Sequence, residues 1–546
     1  MSSVRITPCS RHRNEVFFFL ALLGSTGSLR CAAQLSSGSG SLASATSTTT
    51  TAPGSVSGQV VNAASGLPVA RALVRFNDRA VLTDHDGNFQ FEQNTYTSGN
   101  ILVVKPGFYA TADPSDTPNL FLQANQLSAP LRLVVYPEAV LTGTVAAPDG
   151  TLLSHIPVIA QRSVFDESGH RLVTSGQTMT DSHGNFRLPV PPGDYRVETQ
   201  YVSQDVVTTG LAVLPVSVPG KSSSNTLEMI HVHSGEEQHF DLRPNASRPH
   251  IVTVATESSQ GGFGQVRFSA RSRNGSILQL NPEFNRGSGE TKVELPQGTY
   301  ILIARKNTPE APELAETTVT VPDHDISGVA LRFSPTPTLP VDLLIDDAAT
   351  SDNSQPNLSQ LNLTLQNDQL DSEPDNSSVR LTPLANHAYA FIPLPGSYHL
   401  QARGNGEWYV KSADYGASDL LQQGLVVAPG SAGAPIRVTV SNQTGALQGT
   451  VKLNGVPSAC WVYLIPTTPS AESDILLRSN AEGAYTSAHL PPGSYQAIAF
   501  ERRHSVNYRD PASLAPFSSR VQSITVNVGD KATLDLDAVP GAELVP

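Results

Sequence analysis

Residues that could do chemistry are few in this 546-residue chain. His233-Ser-Gly-Glu236 has the spacing of a short zinc-binding pair, with His231, His239 and His250 nearby. Zinc needs three or four converging ligands and a supporting shell of hydrogen bonds. The pattern around these residues is extended chain instead. Met229-Ile-His-Val-His233 reads as a strand, Ser-Gly-Glu-Glu as a hairpin turn, and His239-Phe-Asp-Leu242 as the return strand. Asp84-His85-Asp86-Gly87-Asn88 looks like a calcium loop but lacks the spaced ligands and the glutamate at the twelfth position, so it reads as a tight turn. Asp323-His324-Asp325 and Asp346-Asp347 read as solvated loop charge. Gly38-Ser39-Gly40 is not the strand-to-helix elbow of a serine hydrolase, and the chain has no Gly-x-x-x-x-Gly-Lys phosphate loop. No catalytic residue, metal or cofactor is expected.

A second kind of chemistry is the stacking of sugar rings on exposed aromatics. Gly404-Asn-Gly-Glu-Trp408-Tyr-Val-Lys-Ser-Ala-Asp-Tyr415-Gly is the richest aromatic and polar stretch, and Trp461-Val-Tyr463 is another. Trp408, Tyr409, Tyr415 and Trp461 are therefore the candidate carbohydrate-binding residues. Strand alternation must bury one of Trp408 and Tyr409.

The elements that would position these residues are legible from composition. Gly and Pro number 41 each, while charged residues make up 15%, against about 25% in an average soluble protein. Such a chain is rich in turns and poor in helix. The 35 Lys and Arg against 48 Asp and Glu leave a net charge of −13, which excludes the cationic surface that nucleic-acid binding requires.

Residues 1–33 read as a secretory signal. Arg5, Arg11 and Arg13 precede the apolar run 16–23, and Cys31-Ala-Ala33 places cleavage after Ala33. Residues 34–53 are a Ser/Thr/Gly-rich linker with too little apolar surface to offset ordering entropy. No later stretch reaches the roughly 20 apolar residues of a transmembrane helix. Cys9 and Cys31 belong to the signal, which leaves Cys460 alone in the mature chain and no internal disulfide.

The body repeats three phrases. A Gly-x-Val opening occurs at Gly58, Gly143 and Gly449. A turn followed by an aromatic occurs as Asp86-Gly-Asn-Phe89, His183-Gly-Asn-Phe186 and Glu482-Gly-Ala-Tyr485. Pro-Gly-x-Tyr ends at Tyr195, Tyr398 and Tyr495, with Gln297-Gly-Thr-Tyr300 as a variant. The spacing of about 100 residues is that of one β-sandwich. Period-two alternation puts Cys460, Val462 and Leu464 on one face, equivalent to Ala72, Val74 and Phe76, with Trp461 and Tyr463 on the other. The glycine of each turn is expected in a hairpin at positive φ, with the next aromatic turned inward. Each Pro-Gly-x-Tyr tyrosine is expected beneath its loop, its hydroxyl bonded to backbone.

Gly58-Gln-Val-Val-Asn-Ala-Ala-Ser-Gly-Leu-Pro68-Val-Ala-Arg-Ala72-Leu-Val-Arg-Phe76, Thr83-Asp-His-Asp-Gly-Asn-Phe89 and Val103-Val-Lys-Pro-Gly107-Phe-Tyr109 together resemble the carboxypeptidase regulatory-like domain. Residues 138–244 and 441–546 resemble the same family or the related collagen-adhesin B-type and starch-binding-like modules. The resemblance implies an all-β fold, a tandem array of four to five transthyretin-like or immunoglobulin-like β-sandwich domains. The boundaries are 54–137, 138–244, 245–335, 336–440 and 441–546, the third and fourth being the weaker matches. Collagen-adhesin modules can carry a Lys–Asn isopeptide bond assisted by an acid. Lys452, Glu482 and Asn527 are the residues available, but alternation turns Lys452 outward. A metallocarboxypeptidase-related hydrolase, which the family name invites, would need a large α/β domain for which no room remains.

The function expected is that of an exported, non-catalytic protein of the periplasm, cell surface or cell exterior, a stiff rod of sandwiches binding polysaccharide or cell-wall glycan. The alternative is a structural or adhesive surface protein that binds a protein partner, for instance by strand addition at a sheet edge.

Overall fold

The computed structural model describes residues 55–544 apart from 93–97, 123–129, 167–168, 204–209, 221–227, 258–265, 274, 286–288, 307–312, 347–360, 369–377, 385–388, 404–406, 429–432, 473 and 509. They belong to one compact unit, Pro53–Pro546. The expected signal 1–33, the linker 34–53, Asp347 and the start of the aromatic stretch at 404–406 lie outside the described residues.

Among the described residues the chain is all-β apart from the short 3-10 helices Pro511–Phe517 and Gly541–Glu543, and its strands form five two-sheet sandwiches with one added two-stranded ribbon, Ala212–Val213 with Ala246–Ser247. One topology recurs. The opening strand pairs antiparallel with a strand that follows a turn, and parallel with the last strand of its sandwich. Val56–Asn62 does so with Asn88–Phe91 and Leu131–Pro137, and Ala139–Val145 with Asn185–Val190 and Glu237–Leu242. Pro249–Glu257 lies between Glu290–Pro296 and Ile326–Arg332. Leu339–Ile345 lies between Tyr389–Phe391 and Ile436–Ser441. Gly445–Leu453 pairs with Ala484–Leu490 and with Lys531–Thr533 and Leu536–Asp537. A parallel pair needs a long crossover. Here the second sheet supplies it, built around antiparallel pairs such as Leu73–Phe76 with Gly99–Val104 and Trp461–Pro466 with Gly493–Phe500. Each sandwich encloses its own apolar cluster.

The repeated phrases meet each other across the first sheet. Gly58 is directly opposite Phe89, Gly143 opposite Phe186, and Gly449 opposite Tyr485. A Cβ on any of these glycines would stand 2.8–2.9 Å from the aromatic ring and would collide with a backbone carbonyl of the neighbouring strand or the segment before it, that of Leu131, Phe240 or Leu534. Glycine therefore lets the ring close over the strand while the last strand closes on its other side. The rings are buried.

The turn glycines Gly87, Gly184 and Gly483 have φ of +72°, +71° and +74°, and their carbonyls accept from Val60, Val145 and Val451 N–H. These turns do not close the hairpins expected from the sequence. Arg79–Leu82 pairs within the second sheet and Asn88–Phe91 within the first, so the turn between them carries the chain from one sheet to the other. The crossing is what delivers Phe89 to Gly58. Asp84 Oδ1 accepts from Asp86 N–H at 2.9 Å and Asn88 N–H at 2.7 Å, and Asp181 does the same for His183 and Asn185, both at 2.8 Å. The bond from Asn88 N–H holds the Asp84 carboxyl below its ordinary range. The acid is a turn-former.

Just before each turn a buried hydroxyl ties the sheets together. The Thr83, Thr180 and Ser479 hydroxyl oxygens accept from the backbone N–H of Ala72, Ile156 and Cys460 at 2.8–2.9 Å, and donate to a carbonyl two or three residues before that N–H. Cys460 thus occupies the place of Ala72, and burial pushes its thiol up to about 12.

Tyr195, Tyr398 and Tyr495 donate to Pro191, Leu394 and Pro491 carbonyls at 2.5, 2.9 and 2.6 Å. The variant Tyr300 hydroxyl is buried with no partner among the described residues.

Two outcomes follow from these contacts. Gly449→Ala should destabilise the fifth sandwich by about 3 kcal/mol, speeding amide hydrogen exchange in Gly445–Leu453 and Ala484–Leu490. Gly220→Ala, at a site with nothing within 4 Å, should leave exchange unchanged. Tyr495→Phe should cost about 1 kcal/mol by the same measurement, whereas Tyr300→Phe should be neutral or stabilising, because it removes an unsatisfied buried hydroxyl.

Candidate functional site

The histidine-rich segment does not build a metal centre. Glu236 Oε2 accepts from the His233 backbone N–H at 2.7 Å and Oε1 from Gln238 at 2.8 Å, and the first of these bonds holds its carboxyl below the ordinary range. His231 Nδ1 lies 2.8 Å from Asp194, His239 Nε2 3.3 Å from Asp241, and His250 Nδ1 3.9 Å from Asp325. Each of these three imidazoles has its own carboxylate. Among the described residues no three His, Cys, Asp or Glu side chains converge as a metal requires. Ile230–Val232 pairs in the second sheet and Glu237–Leu242 in the first, so this turn too crosses between sheets and is not the hairpin expected.

The four aromatic candidates are not brought together. Trp408 is 8% exposed, inside the core of the fourth sandwich. Tyr409 and Tyr415, at the two ends of the strand Tyr409–Tyr415, are half-buried. Trp461 stands on the fifth sandwich, where the guanidiniums of Arg478 and Arg503 lie 5.1 and 5.9 Å from its ring centre. Alternation along Trp461–Pro466 is as expected, but the outer face is covered. Tyr463, Ile465, Ile498 and Phe500 form a second apolar layer with Val506, Leu514 and Val539. Lys452 is exposed and Asn527 donates its side-chain amide to Asp530 at 2.9 Å, so the isopeptide residues are not assembled either.

A dense polar site was not visible in the sequence. It lies where the fifth sandwich packs back onto the first and second, an arrangement that a rod of sandwiches does not have. The chain beyond Phe500 inserts Arg502 beside the loop 110–119. Its Nε lies 2.6 Å from Asp116 Oδ2, and its Nη1 and Nη2 donate to the carbonyls of Ala110 and Thr117, each at 3.1 Å. His504 Nδ1 is 2.6 Å from Asp113 Oδ2, which also accepts from Ser505 N–H at 3.0 Å. Ser505 Oγ accepts from Phe165 N–H at 2.8 Å, and the Tyr508 ring stands edge-on to Phe165. From the second sandwich, buried Arg162 lies over the Tyr195 ring and donates to the Ala112 carbonyl. Around these groups is a cleft of about 670 Å³ bordered by Pro114, Ser163, His170, Asn507 and Phe517.

Burial alone would raise the Asp113 carboxyl, but His504, Ser115 and Ser505 outweigh it and hold the group at about 2. For Asp116 burial wins over Arg502, and the carboxyl is raised.

No protein-family model matches the chain, and no curated protein matches it. Among solved structures it is similar to the Bacillus anthracis TIE protein, at 13% identity over 52% of this chain and 51% of that one, with a TM-score of 0.17. The chain therefore spans about half the length of that protein. It is also similar to the full-length RrgB pilus protein from Streptococcus pneumoniae, at 8% identity over 74% of this chain and 98% of that one, TM-score 0.14. The major pilin subunit BcpA of Bacillus cereus gives 9% identity over 74% and 100%, TM-score 0.13. The fold class stands on the strand pairing above.

Asp113 is charged above its ordinary value of 3.8 and stays so in the folded protein until about 2. Its contribution is thus complete above pH 4 and lost as pH falls toward 2. Asp113→Asn should remove about 2 kcal/mol of docking stability at neutral pH and flatten the acid limb between pH 4 and 2. Hydrogen exchange of residues 500–508 against pH is the measurement.

Proposed function

We propose that this chain is an exported, non-catalytic β-sandwich protein of the cell surface or exterior that works by binding a protein partner. The supporting observation is the strand Gly169–Met179. It pairs with Pro157–Asp166 on one side and forms the edge of its sheet on the other. Its eleven residues, Gly-His-Arg-Leu-Val-Thr-Ser-Gly-Gln-Thr-Met, include one charged side chain other than His, Arg171, and no proline. The register slips once, at Ser175 opposite Ala160 and Gln161; on either side of that bulge the edge has neither lysine nor proline and is open to strand addition. The glycan reading has less support, since Trp408 is in a core and Trp461 is flanked by two arginines. Among the described residues no helix is long and apolar enough to cross a membrane.

In this reading the chain is a member of the carboxypeptidase regulatory-like family, its sandwiches span 54–137, 138–244, 245–335, 336–440 and 441–546, and its signal is released after Ala33.

The chain from Gln34 onward should bind saturably to a member of an array of extracellular protein domains. Thr174→Lys with Gln177→Lys should weaken that binding at least tenfold, or about 1.4 kcal/mol, with hydrogen exchange of the sandwich cores unchanged. Retention on a glycan array and on no protein would defeat the reading. N-terminal sequencing of chain recovered outside the cytoplasm should begin at Gln34, and an uncleaved chain in the cytoplasm alone would count against export.

A further inference from the structure

The contact between the fifth sandwich and the first two joins residues 386 positions apart; it runs through the chain beyond Phe500, with the Arg478 guanidinium also 5.8 Å from the Phe121 ring centre, and the apolar clusters of the first and fifth sandwiches share no residue. The first and fifth sandwiches each enclose a complete apolar cluster of their own, so the fifth can lift away without opening either. What it leaves behind is two carboxylates, Asp113 and Asp116, deprived of His504 and Arg502. The Arg502 and Asp116 side chains are 17% and 10% exposed in the docked state. Lifting returns these charges to water, and a surface that offers an arginine and a histidine in the same geometry is their complementary partner. Such a surface exists in this protein's own sequence. Polar interfaces between domains of one chain also permit relative motion. Short segments outside the strands connect the sandwiches here, residues 336–338 between the third and fourth and 442–444 between the fourth and fifth.

We propose that this clasp is exchangeable between copies: the loop beyond Phe500 of one chain seats on the Asp113–Asp116 loop and the Phe165 strand of a second, and the second reciprocates. Exchange of an identical element closes at a two-fold dimer and needs no surface that the monomer does not already use. The proposal does not rest on the binding of a foreign partner, since it concerns this chain alone.

Charge reversal tests it. Asp116→Arg places two cations at the contact within one chain, and Arg502→Asp places two anions there. Each variant alone should be a monomer of larger hydrodynamic radius than the unaltered chain. An equimolar mixture should form a dimer of twice the mass by light scattering, because an exchanged pair joins a cation to an anion at both contacts. The two substituted side chains meet at one, and the unaltered Asp116 and Arg502 meet at the other. The double variant should return to a compact monomer. Single variants as compact as the unaltered chain would show that the pair holds nothing, and a mixture that stays monomeric would overturn the exchange. Hydrogen exchange of Val56–Asn62 and Gly445–Leu453 verifies that the sandwiches remain folded. A second measurement covers a reversal that unfolds them. Asp116→Cys with Arg502→Cys, oxidised after incubation at high concentration, should yield a disulfide-linked dimer on a denaturing gel, and monomer alone would likewise overturn the proposal.

Discussion

The interaction on which each recognisable sandwich depends is the close seating of an aromatic ring over a glycine in the strand beside it. Phe89 on Gly58, Phe186 on Gly143 and Tyr485 on Gly449 are the same contact made three times. Removing the side chain from the central strand lets the ring fill the space above it and lets the last strand approach from the other side. That approach sets up the parallel pairing by which the end of each sandwich returns to its beginning. The turn glycine, the buried threonine or serine before it and the inward aromatic after it all serve to deliver the chain to this point from the opposite sheet.

The third and fourth sandwiches show that the topology outlasts the motif. There the opening strand meets ordinary pairs, Val252 with Val293 and Leu339 with Phe391, and each core closes without a glycine beneath a ring. With no glycine to mark the crossing, these units had little but alternation and a Gly-x-Tyr turn to distinguish them in the sequence. In the third even that turn is incomplete, since the Tyr300 hydroxyl finds no acceptor among the described residues.

Charged and polar contacts join the first sandwich to the second and the fifth. Arg502 pairs with Asp116 and His504 Nδ1 lies 2.6 Å from Asp113 on the same loop, Arg162 crosses from the second sandwich to the first, and Tyr109 reaches the Pro189 carbonyl at 3.1 Å. Apolar contacts cross two other junctions, where Ala471 of the fifth sandwich enters the cluster of the fourth and Tyr201 and Leu214 of the second pack against that of the third. The outer layer of the fifth sandwich also explains why the candidate aromatics form no shared surface. Trp408 belongs to a core, and Trp461 and Tyr463 belong to the layer that residues beyond Phe500 lay over the outer sheet face.

Much of the architecture was present in the amino-acid order alone. The all-β class, the repeat of about 100 residues, the facing of Cys460, Val462 and Leu464, and the tyrosine-to-backbone bonds all depend on alternation and on residues within a few positions of each other. Local rules suffice for those. The Thr83, Thr180 and Ser479 hydroxyls could have been found the same way, because each sits at a constant offset from its turn glycine. What tertiary structure alone decided was which sheet each turn enters, what covers the outer face of Trp461, and that Arg502 reaches Asp116. Those depend on strand pairing and docking between distant segments, where no periodicity in the chain records which partner will be met.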